Sequence, residues 1–456
     1  MVYQKQRVHL VLILSTASIL VIIAIYFLLY FKESRGNEML IAWGLREASG
    51  HCLLWLIDPE IQLSNEIMTD NDDCNYMVAM IEGQLQLIHI QTFPGEITIY
   101  HVTSERQLIE RDTIAINKVG IASPPQWGIE GKIYSSGFLN GRTQIYTIDA
   151  QTGVVTPFVT YEKGIAVDPS ISPHGKYLAY WTLDGLSSQS ECRLSCIFGN
   201  YHVLNLETQA TVNLFSMIEP LLERVQSPDL LQCNLSWSPS GQFLAFHIGS
   251  CSGGSPRNLA IIDIENNQVV TLLKPISEEG RYYDPSFIGW LSDKELIYEQ
   301  SLFFPEHNRF ATRYRVYSID TQTSRELAGF LPVVNNENIA FELRQIDWTS
   351  DGNDIVGIVL VEDTLADSTL SLAKINIAGE NTQIDYFESP HKYNLHPLWS
   401  PDGKWIAYYS ATGRNEADMN GVNVRIVDKT GTIDFTSGAT NIIELHLHYA
   451  WLEFYD

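Results

Sequence analysis

The sequence predicts an all-β domain made of repeated four-stranded antiparallel sheets, and three observations indicate this fold class. A phrase of 14 residues occurs at 168–181 and returns at 234–247 and at 396–409. Each copy contains an apolar strand, a tight Ser-Pro-x-Gly turn and an aromatic second strand, which is the pattern of a β-hairpin. A second hairpin pattern follows each copy, so the repeating unit has four strands. Repetition at roughly 50 residues indicates stacked units that share a core.

The chain begins with a segment of a different kind. Leu10 to Phe31 is apolar with three mild polar interruptions. About 22 residues in a helix, at about 1.5 Å each, cross a hydrocarbon core of roughly 30 Å. We predict a cytoplasmic tail at 1–9, a transmembrane helix at 10–31 and a linker at 32–37. A cleaved signal peptide is the alternative, although the run is longer than usual and no small-x-small cleavage site follows it.

Residues 38–456 are expected to form one domain. Four-stranded sheets repeated in a circle make a β-propeller, which leaves only short and protected edges. Strand patterns at 76–109 and 125–153 predict two units upstream of the clear repeats. We predict eight blades, with seven as the alternative if the weak segment at 74–118 merges with a neighbour.

Five units follow from about residue 165 onward, and the three at 168–181, 234–247 and 396–409 have the complete turn. Pro presets φ at the first turn position, and Gly takes the positive φ that ends the turn. Two further copies, at 284–298 and 346–357, keep the strands and lose part of the turn. Their spacing still fits the same unit.

The last unit is predicted to combine both ends of the domain. Glu38 to Trp43 resembles a second strand such as Lys404 to Tyr408, and His448 to Leu452 resembles a first strand. The C-terminal strand would then complete the blade that the N-terminal strand begins. Such pairing closes the ring and protects both sheet edges.

The turn Ser400-Pro-Asp-Gly-Lys404, followed by Ile406-Ala-Tyr408, resembles the WD40-like repeats of the TolB family of propellers. The resemblance covers the five units from about residue 165. It implies a fold better than an activity, because TolB-like propellers serve as binding modules, as gating domains of serine peptidases and occasionally as lyases. No peptidase domain is expected after the closing strand, so the resemblance favours binding.

The charge balance limits the partners. The chain has 54 acidic and 29 basic residues, for a net charge of −25. Nucleic acid and anionic lipid are therefore poor partners, and membrane contact is expected through the N-terminal helix alone. A long domain after a single N-terminal span usually translocates. We therefore expect the propeller outside a bacterial cytoplasmic membrane, with the N-terminus in the cytoplasm.

The cysteines are predicted to lie on one face of the propeller, at the ends of the second strands. Cys233 is expected just before a first strand and Cys251 at the end of a second one. Disulfides that fasten loops explain such sorting in an exported protein. A four-thiolate zinc site is the alternative. The six disulfide candidates are Cys52, Cys74, Cys192, Cys196, Cys233 and Cys251.

Long loops on the same face are the predicted binding region. The segments 182–200, 216–232, 249–257 and 300–311 exceed what a blade requires and belong to three consecutive blades. Recognition usually resides in long loops on a rigid scaffold. The candidate residues for a protein or peptide partner are Arg193, Phe303, Phe304, His307 and Arg309. Alternatively, the aromatic side chains fold back onto their own blade.

The sequence predicts no catalytic residue, metal or cofactor. Gly249-Ser-Cys-Ser-Gly253 imitates a nucleophile elbow, but a strand follows it where an elbow requires a helix. We therefore predict a membrane-anchored, extracytoplasmic, noncatalytic protein-binding or scaffolding module. The alternative is a propeller-type lyase or hydrolase with a histidine and metal centre at the axial channel.

Overall fold

The computed structural model describes the larger part of the domain, and the side chains of some strand residues, among them Phe303, Phe304 and Arg309, are outside that description. The described residues are 38–45, 52–60, 62–68, 76–81, 84–91, 95–102, 108–116, 123, 125–128, 131–184, 199–222, 231–249, 258–278, 281–304, 309–327, 341–349, 354–364, 367–376, 383–389, 393–412, 420–431, 434–436 and 448–453.

The described strands make eight four-stranded groups, which we number as units 1 to 8. Unit 1 contains β1 (Glu38–Leu45), β2 (Cys52–Asp58) and β3 (Leu63–Met68), together with the C-terminal β33 (His448–Glu453). Strand β33 lies antiparallel to β1, with Leu40 opposite Trp451. The predicted pairing of the two ends of the domain is confirmed.

Units 2 to 5 follow in chain order. Each has its own antiparallel sheet, including unit 2, where the sequence signal is weak. The strands are β4 (Tyr76–Ile81), β5 (Gln84–Gln91), β6 (Glu96–Val102) and β7 (Leu108–Ala115) in unit 2; β8 (Gln126–Trp127), β9 (Lys132–Leu139), β10 (Arg142–Asp149) and β11 (Val155–Val159) in unit 3; β12 (Gly164–Ile171), β13 (Tyr177–Asp184), β14 (Gly199–Asn205) and β15 (Thr211–Asn213) in unit 4; and β16 (Leu231–Trp237), β17 (Phe243–Gly249), β18 (Asn258–Asp263) and β19 (Gln268–Leu273) in unit 5.

Units 6 to 8 complete the domain. Unit 6 has an additional short strand, and units 7 and 8 share one sheet through a single parallel bridge, Leu370 to Tyr393. Their strands are β20 (Ile276–Glu278), β21 (Arg281–Trp290), β22 (Glu295–Phe304), β23 (Arg309–Ser318) and β24 (Thr323–Glu326) in unit 6; β25 (Phe341–Trp348), β26 (Asp354–Thr364), β27 (Asp367–Asn376) and β28 (Gln383–Tyr386) in unit 7; and β29 (Tyr393–Trp399), β30 (Trp405–Thr412), β31 (Asn420–Asp428) and β32 (Asp434–Thr436) in unit 8.

Buried apolar clusters lie between neighbouring units. Separate clusters join unit 2 to 3, 3 to 4, 4 to 5, 5 to 6 and 6 to 7. One further cluster contains Val356 of unit 7, Trp405 of unit 8 and Trp55 of unit 1. The first unit therefore packs against the last, which is the arrangement of a β-propeller.

The Ser-Pro-x-Gly turns mark one end of every unit that has them. In unit 8 the Ser400 hydroxyl oxygen accepts a hydrogen bond from the amide of Trp405 at 2.9 Å, and Gly403 has a φ of 66°. The same serine contact occurs at 3.0 Å in unit 4 and at 3.1 Å in unit 5. We call the end with these first turns the lower end and the opposite end, where second strands connect to third strands, the upper end.

Helical structure is scarce in the described part of the chain. A five-residue helix, α1 (Leu214–Ile218), follows β15 at the upper end, and Asn213 caps it by accepting bonds from the amides of Phe215 and Ser216. A 3-10 turn, Glu219–Leu221, continues it. Among the described residues, no helix is long and apolar enough to span a membrane. The predicted tail, anchor and linker at 1–37 lie outside the described residues.

Candidate protein-binding site

Two hairpins at the upper end are longer than their counterparts. Strands β22 and β23 have 10 residues each, and β26 and β27 have 11 and 10. The corresponding strands of unit 5 have 7 and 6 residues. The long hairpins belong to units 6 and 7, which are neighbours, so they lie side by side at one sector of the upper end.

The hairpin of unit 6 stays paired beyond the last residue pair between β21 and β22, where β21 pairs with β20 instead. Strand β21 pairs with β22 as far as Ser301, whereas β22 and β23 stay paired to Phe304 opposite Arg309. The segment 300–311 was predicted to be a loop, but its described residues, 300–304 and 309–311, are β-strand, so that prediction is wrong. The aromatic residues Phe303, Phe304 and Phe310 and the β-branched Thr312 favour continued strand pairing.

The structure brings three of the five predicted binding residues to one hairpin tip. Phe303 is opposite Phe310, and Phe304 is opposite Arg309. His307 belongs to the connection 305–308, and Arg193 to the connection between β13 and β14 in unit 4; both lie outside the described residues. The predicted site is thus centred, for its described part, on unit 6.

The base of this hairpin is buried and hydrogen-bonded. Gln300 is 4% exposed, and its side-chain oxygen accepts a bond from Arg315 at 3.4 Å. The Tyr298 hydroxyl donates to Ser324 at 2.9 Å. Burial raises the pKa of Tyr298, with the Ser324 bond and the nearby Arg315 acting in the opposite direction. These buried contacts fix the base from which the hairpin continues.

The neighbouring hairpin is fastened to unit 8. The side-chain nitrogen of Asn394 in β29 donates to the carbonyl of Leu370 in β27 at 2.8 Å, and a parallel bridge joins Leu370 to Tyr393. Asn394 is 1% exposed. No pattern in the sequence predicted this contact between units 7 and 8. The long apolar run at 355–361 was a signal that the strand continued.

The inner strands hold adjacent units in register. The indole nitrogen of Trp237 donates to the carbonyl of Ser170 in the preceding unit at 3.2 Å, and Trp290 donates likewise to Ser236 at 3.3 Å. Between units 7 and 8 the bond is different, because the Asp347 carboxylate accepts from the amide of Trp399 at 2.6 Å. Burial raises the pKa of Asp347 to about 6, although two backbone amides lower it.

Two exposed inner-strand residues bear on the enzyme alternative. Asp168 and His396 occupy equivalent bulges in units 4 and 8, with φ values of 52° and 50°. Asp168 is exposed as a whole residue, but partial desolvation of its carboxyl group raises the pKa of Asp168. Within the described ranges, no group of three or more His, Cys, Asp or Glu side chains is arranged to hold a metal ion.

The cysteines are described only in part. Cys52 begins β2 at the upper end, as expected for the start of a third strand; it is fully buried and disulfide-bonded. Cys233 lies inside β16, opposite His247, so the expectation that it precedes the strand is wrong. Cys74, Cys192, Cys196 and Cys251 lie outside the described residues.

Comparisons with known proteins support the fold and a local family resemblance. No protein-family model matches the chain. The Tol-Pal system protein TolB of Francisella tularensis subsp. tularensis (strain WY96-3418) is 36% identical over 88 residues, which is 19% of this chain and 18% of that protein. TolB of subsp. mediasiatica (strain FSC147) shows the same values. The chain thus covers under a fifth of these relatives.

The solved structures are more distant in sequence. A prolyl endopeptidase structure has a TM-score of 0.50 and 11% identity, over 80% of this chain and 50% of that one. TolB from Acinetobacter baumannii has a TM-score of 0.32 and 12% identity, over 82% and 81%. The first likeness concerns the fold alone. Together with the local identity to TolB, it supports a propeller that contains TolB-like repeats.

Proposed function

We propose that this protein is a membrane-anchored, extracytoplasmic propeller of eight blades that binds a protein or peptide partner without catalysing a reaction. The long hairpin of unit 6 is the observation that carries this proposal. It places two phenylalanines and an arginine at the upper end of strands whose base is buried and hydrogen-bonded. Aromatic and arginine side chains are the residue types that dominate binding energy at protein interfaces.

The direction of the first strand supports an outward site. Glu38 is opposite Glu453, at the lower end of unit 1, so the chain enters the domain at that end. A linker of about six residues spans about 20 Å at most. If residues 10–31 cross the membrane, the lower end lies close to the bilayer. The upper end, with both long hairpins, then faces away from it.

The alternative is a propeller-type lyase or hydrolase with its centre at the axial channel. The exposed Asp168 and His396 on inner strands are the features that favour it. Replacing both by Ala distinguishes the two functions. A binding module keeps partner capture with both residues replaced, whereas an enzyme of this type loses turnover of its substrate.

Crosslinking in membranes, followed by mass spectrometry of the captured proteins, tests the binding proposal. The Phe303→Ala/Phe304→Ala variant should capture the partner at least about five-fold less efficiently, with nearly unchanged thermal stability. Phe138→Ala is the matched control, because Phe138 is 61% exposed near the upper end of β9, three units away. Equal capture by wild type and the double variant would refute a site at this hairpin.

A further inference from the structure

We propose that Cys52 is disulfide-bonded to Cys74 and that this bond fastens the blade made from both ends of the domain to the next blade. Cys52 is bonded to another cysteine, and its side chain is fully buried. The remaining question is which of the five other cysteines supplies the second sulfur. Their positions in the chain decide between them.

The short chain between β3 and β4 brings Cys74 within bonding reach of Cys52. Cys52 is opposite Leu45 at the upper end of unit 1, and its neighbour Leu53 is opposite Met68, the last residue of β3. The chain therefore leaves β3 beside Cys52. Cys74 follows Met68 by six residues and precedes Tyr76, the first residue of β4, by two. Six residues reach at most about 20 Å, ample for the roughly 4.4–6.8 Å between the Cα atoms of bonded cysteines.

The other cysteines belong to distant units. Cys192 and Cys196 lie in the chain between β13 and β14 of unit 4, and Cys233 and Cys251 belong to unit 5. Units 2 and 3 separate unit 1 from unit 4 in the order of packing. Packed sheets are about 10 Å apart, so these cysteines would have to cross two intervening sheets.

Formation of the disulfide requires an oxidant, and this requirement bears on the compartment in which the domain folds. Two thiols lose two protons and two electrons as the sulfur–sulfur bond forms, and a donor disulfide accepts them and becomes a dithiol. Such donors act in oxidising compartments, whereas cytosolic thiols are kept reduced. The bond therefore agrees with an extracytoplasmic domain, but it does not depend on what the domain binds.

Peptide mapping of the full-length protein, isolated from membranes with free thiols blocked, tests the pairing. Residues 47–105 contain no Lys or Arg, so trypsin leaves Cys52 and Cys74 in one peptide. A glutamate-specific protease applied to the unfolded, unreduced protein cuts after Glu60 and Glu66. The expected product is a pair of peptides containing Cys52 and Cys74 that separates only after reduction. Cys52 linked to any other cysteine, or found blocked as a free thiol, would overturn the proposal.

Two variants give an independent measurement. In Cys74→Ser, Cys52 should become fully alkylatable once the protein is unfolded, whereas Cys233→Ser, the control, should leave Cys52 protected. Burial of Cys52 also predicts that dithiothreitol reduces the bond at least ten-fold more slowly in the folded protein than in urea. If Cys74→Ser does not fold, the wild-type peptide map alone decides the pairing.

Discussion

The Asp347 carboxylate accepts a hydrogen bond from the backbone amide of Trp399 at 2.6 Å, and this bond joins the inner strands of units 7 and 8. At other joints a tryptophan indole donates to a backbone carbonyl of the preceding unit. A titratable group therefore replaces a neutral contact at this joint. Because the group is largely buried, the stability of the joint should depend on pH.

The first prediction is that Asp347→Asn removes part of the pH dependence of folding. Burial raises the pKa of Asp347 from 3.8 to about 6 in the folded protein. Its stabilising contribution is therefore fully present below about pH 4 and is lost as pH rises through about 6. Wild type should lose about 1–3 kcal/mol of unfolding free energy over that range through this group. The asparagine variant should lose correspondingly less.

Urea denaturation at half-unit steps from pH 4 to pH 7.5 measures both slopes. Asparagine keeps a side-chain oxygen for the Trp399 amide, so the variant should still fold. Parallel curves for the two proteins would show that Asp347 does not titrate in this range.

A second prediction concerns the closing strand. Removing residues 445–456 deletes β33, which pairs with β1 from Glu38 to Trp43. The deletion exposes the edge of β1 and opens the contact of unit 1 with its neighbour, so the domain should aggregate or become protease-sensitive. Removing only residues 454–456 leaves β33 intact and is the control. A soluble deletion protein with the wild-type melting temperature would contradict the role of β33.

A third prediction tests the packing between units 6 and 7. A Cβ atom added at Gly289 would lie 2.3 Å from the indole ring of Trp348. Gly289→Ala should therefore destabilise the domain by about 1–3 kcal/mol. In the double variant Gly289→Ala/Trp348→Leu the clash is relieved, so its cost should be below the sum of the single changes by about 0.5 kcal/mol or more. Additive costs would show that the two residues do not meet.

A fourth prediction concerns the hairpin of unit 7. Asn394→Leu keeps the volume but removes the donor to the Leu370 carbonyl. A buried carbonyl that loses its partner costs about 1–3 kcal/mol. Hydrogen exchange in 354–376 should therefore become about ten-fold faster. Asn376→Leu, which removes a side-chain bond to Asp354 within unit 7, is the control and should have a smaller effect on the upper part of the hairpin.

The repeated turn could be predicted from the sequence because its determinants are local. Ser400, Gly403 and Trp405 interact within five residues of one another. The pairing of residues 38–43 with the C-terminal strand could also be predicted, because both segments resemble strands in complete units. In each case the signal resides in short stretches of sequence.

The contacts between units, and the length of the unit 6 hairpin, could not be predicted from short stretches of sequence. Asp347 and Trp399 are 52 residues apart, and an aspartate beside a tryptophan has no distinctive sequence pattern. The extension of β22 and β23 was interpreted as a loop because a blade does not require it. In the structure the backbone register places Phe303 opposite Phe310 and Phe304 opposite Arg309.

The last prediction assigns the interface to one end of the propeller. Lys404 lies at the lower end, where its side chain is 48% exposed and contacts Asp402 at 2.5 Å. Exposed ion pairs contribute about 0–1 kcal/mol, so Lys404→Glu should fold normally.

If the partner docks on the upper hairpins, Lys404→Glu and Lys132→Glu should leave capture within two-fold of wild type. The Phe303→Ala/Phe304→Ala change should weaken binding by about 1–3 kcal/mol. The reverse result, with capture lost after either lysine reversal and retained without the two phenylalanines, would place the interface on the lower end. Quantitative crosslinking of all three variants against wild type, at equal expression, makes the comparison.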